Sequence, residues 1–312
     1  GLNSSKTLGA NFATETKKLE LGGSFRYNYN DRDGVSKGYS ENFLLNNSSF
    51  NHSNSISGNR SESFNADFRM EWRPNEQTNI IFRPNFSLTK SSGNSKSQSA
   101  TFNDDPFNDV ENPNDYLDLD SLLNESFDDP LKDIRLNVSN SGSFNENENF
   151  SAGASLQLNR KLNDEGRNIT LRVNGSYGDN ESERYNNNIT RYYGDGIIAL
   201  EDTIRRYITT PTNNYGTGVQ LSYSEPIADK VYLQFSYRFN YSYSESDNST
   251  YDLMNAQDRA NFVLGLRPSD FSESWLDPEQ SKYAEYKKYN HDARVTFRVN
   301  RETWRMSAGV AF

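Results

Sequence analysis

Alternation of apolar and polar residues with a period of two recurs along this chain, and helical periodicity is nearly absent. A strand that buries one face and wets the other has this period, so the chain is expected to be all-β. The clearest window is Phe64, Ala66, Phe68, Met70 and Trp72, interleaved with Asn65, Asp67, Arg69, Glu71 and Arg73. After a break at Pro74-Asn75-Glu76-Gln77 the pattern resumes, with Thr78, Ile80, Phe82, Pro84, Phe86 and Leu88 on one face and Asn79, Arg83, Asn85 and Ser87 on the other. These two windows form a hairpin. The same figure recurs at Leu8–Phe12 with Leu19–Tyr29, Phe150–Leu158 with Ile169–Tyr177, Thr217–Tyr223 with Val231–Tyr243, and Ala293–Val299 with Trp304–Phe312. The expectation is an antiparallel up-and-down meander of about ten to twelve long strands.

The connections alternate between short turns and long polar stretches, expected as loops near 30–60, 90–133, 178–206 and 244–282, all within a single domain spanning 1–312. Short turns at one end and long loops at the other fit a transmembrane β-barrel. Leu19 to Tyr29 supplies the roughly 9–11 residues that a tilted membrane-crossing strand needs. Trp72, Trp304 and Tyr223 lie near short turns, whereas Tyr27, Tyr29, Tyr241 and Tyr243 lie at the far ends of their windows, like two aromatic girdles. On this reading Phe64, Phe68, Trp72, Phe82, Phe86, Leu233, Phe235 and Phe239 face lipid. Asn65, Asp67, Arg69, Glu71 and Arg83 face the lumen. The competing fold is a soluble β-sandwich whose core gathers the same rings, a surface module that binds glycan or protein through loops such as Tyr185 to Tyr193.

Composition removes several functions. A mean hydropathy of -0.93 with 33% hydrophobic residues would fit disorder, but 13% aromatic residues would not. With no cysteine, sulfur redox chemistry and thiolate metal sites are excluded. A net charge of -10 argues against a nucleic-acid partner. Residues 101 to 133 hold eleven acids against one base, Lys132, and account for that whole excess. Within this stretch Asp118, Asp120 and Glu125 are weak metal candidates, offering hard oxygen ligands without the ordered run of a calcium loop. The two histidines, His52 and His291, do not make a catalytic triad, so no enzyme and no cofactor is expected. Gly22-Gly23, Gly216 and Gly218 read as strand bends or close-packing points, since no helix follows them. The absence of an opening signal peptide is expected of a mature protein, a cytoplasmic one or an excised piece.

The segment EWRPNEQTNIIFRPNFS at 71 to 87 resembles the outer-membrane beta-barrel family of bacterial TonB-dependent receptor-like proteins. So do FNDDPFNDVENPNDYLDLDSLLN at 102 to 124, LNRKLNDEGRNITLRVNGSYGDN at 158 to 180, YITTPTN at 207 to 213, LQFSYRFNYSYSESDNSTYDL at 233 to 253 and AEYKKYNHDA at 284 to 293. The resemblance implies a receptor barrel of about 22 strands in the outer membrane of a Gram-negative bacterium, closed by an amino-terminal plug and taking up a nutrient. Its implied partners are outer-membrane lipid, the rest of the receptor chain, an energy-transducing inner-membrane complex and a surface lipoprotein. Ten strands make about half of such a barrel, and nothing before Leu8 reads as a plug. The chain is therefore expected to be a central slice, with a complete small barrel, favoured by the aromatic Phe312, as the alternative.

Overall fold

The computed structural model describes residues 3–42, 48–117, 130–195, 197–257, 267–301 and 303–312. They form one antiparallel sheet of eleven strands and no α-helix. The strands are β1 (Ser4–Glu15), β2 (Leu19–Asn42), β3 (Ser49–Asn75), β4 (Thr78–Phe102), β5 (Arg135–Lys161), β6 (Asn168–Gly194), β7 (Ile197–Thr209), β8 (Thr212–Ala228), β9 (Val231–Asp252), β10 (Lys282–Asn300) and β11 (Arg305–Ala311). Neighbours in sequence are neighbours in space, with one refinement. β7 pairs with the far part of β6 and β8 with its near part, and both pair with β9. They are one strand interrupted at Thr210-Pro211, where proline has no N–H to give the ladder. All ten windows of alternation fall on strands of this sheet, with Trp304 and Phe312 standing just outside the two ends of β11.

The strands are longer than the alternation. β3, β5 and β6 each run for 27 residues, about 90 Å at about 3.3 Å per residue. Much of the sequence expected as loop near 30–60, 90–133, 178–206 and 244–282 is therefore strand: β2 continues to Asn42, β4 to Phe102, β6 to Gly194 and β9 to Asp252. The reason is physical. Ladder hydrogen bonds come from the backbone, so stretches rich in Asn and Ser extend a sheet while giving no apolar contrast to read.

Register carries a systematic stagger. One hydrogen-bonded row passes through Glu20, Glu71, Ile81, Gln157, Arg172, Gln220, Arg238 and Asp292. At the first turn this row is the terminal pair, Glu15 with Glu20; on β10 it lies eight residues before the terminal pair, Asn300 with Arg305. The seven steps from β2 to β10 thus shift the turns by about one residue per strand. A shift of about 3.3 Å for each strand spacing of about 4.8 Å tilts the strands by about 35° from the perpendicular to the line of turns, the inclination of a barrel wall. β1 and β11 do not pair with each other among the described residues.

Candidate functional site

Each strand near its turn has one apolar and one polar side, and register joins these sides across the sheet. One apolar row runs Thr14, Leu21, Met70, Phe82, Leu156, Val173, Val219, Phe239, His291; another runs Leu19, Trp72, Ile80, Leu158, Leu171, Leu221, Tyr237, Ala293. Phe64, Phe68, Trp72, Phe82, Phe86, Leu233, Phe235 and Phe239 all lie on this face. Asn65, Asp67, Arg69, Glu71 and Arg83 all lie on the opposite one, in rows such as Asn11, Ser24, Asp67, Asn85, Gly153, Ser176, Gly216, Ser242, Lys288.

The apolar face near the turns is bare. Phe12, Phe235 and Leu156 are 55%, 44% and 45% exposed, and no second layer covers them among the described residues. The rings instead pack edge to face along the sheet: Phe25 to Phe64 at 4.8 Å, Phe64 to Phe86 at 5.7 Å and Phe86 to Phe150 at 5.2 Å. Gly23 lies beneath the Phe12 ring, where a Cβ would collide with it. At the turn end of this face Arg167 grips Glu225 through Nε at 2.9 Å and Nη2 at 2.5 Å, and the Tyr223 hydroxyl also donates to Glu225. His291 lies inside β10 with its Nδ1 2.8 Å from the Tyr237 hydroxyl.

Farther from the turns the same face is covered by the chain itself. The segment from 103 to 117 folds back over β3 to β5, enclosing Phe50, Ala100, Phe102, Val138, Val110 and Leu117 with Leu131. Asn54 Nδ2 donates to the Asn114 and Leu117 carbonyls at 2.9 and 3.1 Å, and Lys37 meets Asp115 at 3.8 Å. His52 is 1% exposed beneath this segment, its Nδ1 3.2 Å from Asn114 Oδ1, its ring against Tyr39, Phe102 and Phe107. Burial holds its pKa below the usual imidazole range. A second cover forms over β6, β7 and β9, where Tyr185 stacks on Tyr207 at 4.5 Å and Phe271, Trp275 and Leu253 close over them. Burial, then the neighbouring Glu183, push the Tyr207 phenol up to about 12. Asp118, Asp120 and Glu125 lie outside the described residues; among those described, no group of three or more metal-ligating side chains forms.

The polar face carries two features that local sequence reading missed. Asparagine side chains lie across glycines of adjacent strands, Asn85 over Gly153 and both Asn174 and Asn240 over Gly218, where a Cβ would stand 2.6 to 2.7 Å from an amide oxygen. Gly218 is thus a close-packing point, and the face beside it opens as a cleft of about 510 Å³ lined by Arg83, Asn85, Ser151, Asn174 and Asn214. Nearer the turns Glu71, 5% exposed, accepts from Arg69 Nη2 at 2.6 Å, Arg73 Nε at 2.9 Å and Asn79 Nδ2 at 3.0 Å. Only cross-strand register brings Asn79 to Glu71, which is why spacing within one strand did not reveal the network.

No helix among the described residues is long and apolar enough to cross a membrane, which leaves crossing by strands untouched. No family model matches this chain, and no curated protein matches it.

Proposed function

We propose that this chain is part of the wall of an outer-membrane, TonB-dependent receptor-like barrel that takes up a nutrient across the outer membrane. The observation that carries the reading is the bare apolar face, continuous across the sheet near the turns and backed by a polar face. In water such a surface is a large uncompensated exposure of apolar area. In lipid it is the outer side of a barrel, and a window of nine to eleven residues inclined by about 35° spans the roughly 25 Å apolar band of such proteins.

Two further features support the reading. The stagger of the turns matches the inclination of barrel strands. The outer edge of β1 and the edge of β10 from Lys282 to Asp292 have no partner strand among the described residues, and edges in lipid must be paired. Further strands of the same barrel would pair them, with a plug against the polar face, energy supplied by an inner-membrane complex, and a surface lipoprotein meeting the far ends of the strands. No catalytic role enters this proposal.

The chain has no native cysteine, so single-cysteine variants give clean labels. Phe86→Cys, Phe239→Cys, Asn85→Cys and Ser176→Cys are folded into lipid vesicles and exposed to a water-soluble maleimide and to a lipid-dissolved quencher. The first pair should be shielded from the maleimide and reached by the quencher, and the second pair should show the reverse. Equal aqueous labelling at all four positions would reject the membrane reading.

A further inference from the structure

We infer that the polar face from β4 to β9 binds an acidic oligosaccharide, its guanidiniums taking the carboxylates and its amides and hydroxyls the ring hydroxyls. Register sorts the charges of this chain by face. Arg26, Arg32, Arg83, Arg172, Arg184 and Arg238 all stand exposed on the polar side, and none has a carboxylate within ion-pair distance among the described residues. Glu62, Glu146, Glu148, Glu181 and Glu245 stand on the other side, beyond the bare apolar region. Asp67 and Asp292 share the polar face; Asp292 lies 4.0 Å from Arg294, and neither acid reaches Arg83, Arg172 or Arg238. In a chain with a net charge of -10, this leaves the polar face cationic and attractive to an anion.

Neutral partners hold two of these guanidiniums in place. Across four adjacent strands one row reads Gln157, Arg172, Gln220, Arg238. Arg172 donates to Gln157 Oε1 through Nε at 3.1 Å and Nη2 at 2.6 Å, and Arg238 Nη2 donates to Gln220 Oε1 at 3.1 Å. An amide oxygen fixes the direction of a guanidinium without cancelling its charge, so N–H groups remain for a carboxylate. The two arginines are two strand spacings apart, about 10 Å.

The cleft of about 510 Å³ begins one row farther from the turns, about 7 Å along the strands. Arg83 borders it on β4, and Gly153 and Gly178 give it a floor without side chains. Asn85, Ser151, Asn174 and Ser176 line it and make no side-chain hydrogen bond among the described residues. Tyr177 and Asp179 also border it but belong by register to the opposite face, so neither a ring nor an acid meets the bound molecule. Amides and hydroxyls beside carboxylate-binding guanidiniums suit a molecule that carries many hydroxyls together with spaced carboxylates, rather than a flat aromatic anion. As cargo of the proposed barrel this class rests on the uptake reading, whereas the binding site rests on register and holds whatever covers the apolar face.

The test uses the full chain folded in detergent, titrated by calorimetry with short galacturonate oligomers at constant ionic strength. Maltose oligomers, neutral and equally hydroxylated, and glutamate oligomers, acidic without ring hydroxyls, are the parallel probes. Saturable binding of the galacturonate oligomers is expected, about tenfold or more tighter than either comparison. Arg172→Gln/Arg238→Gln should weaken it about tenfold or more by removing two charged donors, and Asn174→Ala/Ser176→Ala should weaken it about threefold while leaving the glutamate oligomers unaffected. Arg60→Gln removes an exposed guanidinium on the opposite face, paired with Asp31 at 3.4 Å, and should change nothing. If the double arginine variant loses its β-sheet circular dichroism, Arg172→Gln alone is read, with a weakening of about threefold expected. Non-saturable binding, or equal loss in Arg60→Gln, would overturn the site; glutamate or maltose oligomers binding as tightly as galacturonate would overturn the ligand class. Either failure leaves the cysteine-labelling result on the apolar face standing, so the two readings fall separately.

Discussion

Two regions of one face share a register and differ in what covers them. Near the turns Phe68, Phe82, Phe86 and Phe235 stand on the sheet without a second layer above them among the described residues. Toward the far ends Phe50, Phe102, Tyr185 and Tyr207 occupy the same register and are buried beneath the chain's own back-folded segments. The face is continuous along the strands; what lies against it is not. Where the strand is surrounded by water, its apolar side chains must be covered by protein. Where the cover is absent, the bilayer of the proposed barrel takes its place.

Breaking the bare region should have the largest effect. Phe68→Arg combined with Phe235→Arg places two charges on widely separated strands, so their costs of about 2 to 4 kcal/mol each at mid-bilayer should add to about 4 to 8 kcal/mol. Urea titration in lipid vesicles, with Asp67→Asn as the polar-face comparison, reads this directly. Asp67→Asn should remain near the unsubstituted midpoint, and equal shifts at both sets of positions would abolish the distinction between the faces.

The covered region should fail locally. Phe102 is fully buried against the back-folded segment, so Phe102→Ala should cost about 3 to 5 kcal/mol of packing. The loss should appear as faster hydrogen exchange across residues 103 to 117, with the turn-side amides of β3 and β4 unchanged. Uniform loss of protection along both strands would show that the two regions unfold as one.

A smaller effect sharpens the comparison by pH. His52 has a lowered pKa while the segment covers it and the ordinary value, about 6.5, once the segment lifts away. The uncovered state therefore takes up the proton first. Docking is fully present above about pH 6.5 and weakens as pH falls through and below that value. The groups facing His52 are Asn114 and Tyr39, with Asp105 as the nearby carboxylate that favours the charged form and partly offsets burial. Hydrogen exchange of 103 to 117, corrected for intrinsic rates, should accelerate between pH 7.5 and 5 in the unsubstituted chain (a window chosen to bracket about 6.5), and the acceleration should be absent in His52→Gln.

The turn-side halves of the strands were readable in the sequence because alternation is steepest where one side must be apolar, as in Phe64 to Trp72. The same alternation assigned all thirteen named residues to their two faces, since a period of two leaves each residue only one side. The far halves were not readable in this way. Ser91 to Ser99 and Asn137 to Asn149 alternate little, and β7 was hidden because Pro211 and a change of neighbour divide one long strand into two. Calcium ligation at Asp118, Asp120 and Glu125 is untouched, as those residues lie outside the described structure.

Side-chain pattern by itself determined that this chain is a β meander, where its tight turns fall and which residues share a face, because these are properties of a single strand and its immediate hairpin. Tertiary structure alone decided how far each strand continues and which acids and amides meet across strands. The physical reason is that ladder length and inter-strand stagger depend on backbone groups of neighbouring strands, and every residue except proline offers those groups alike.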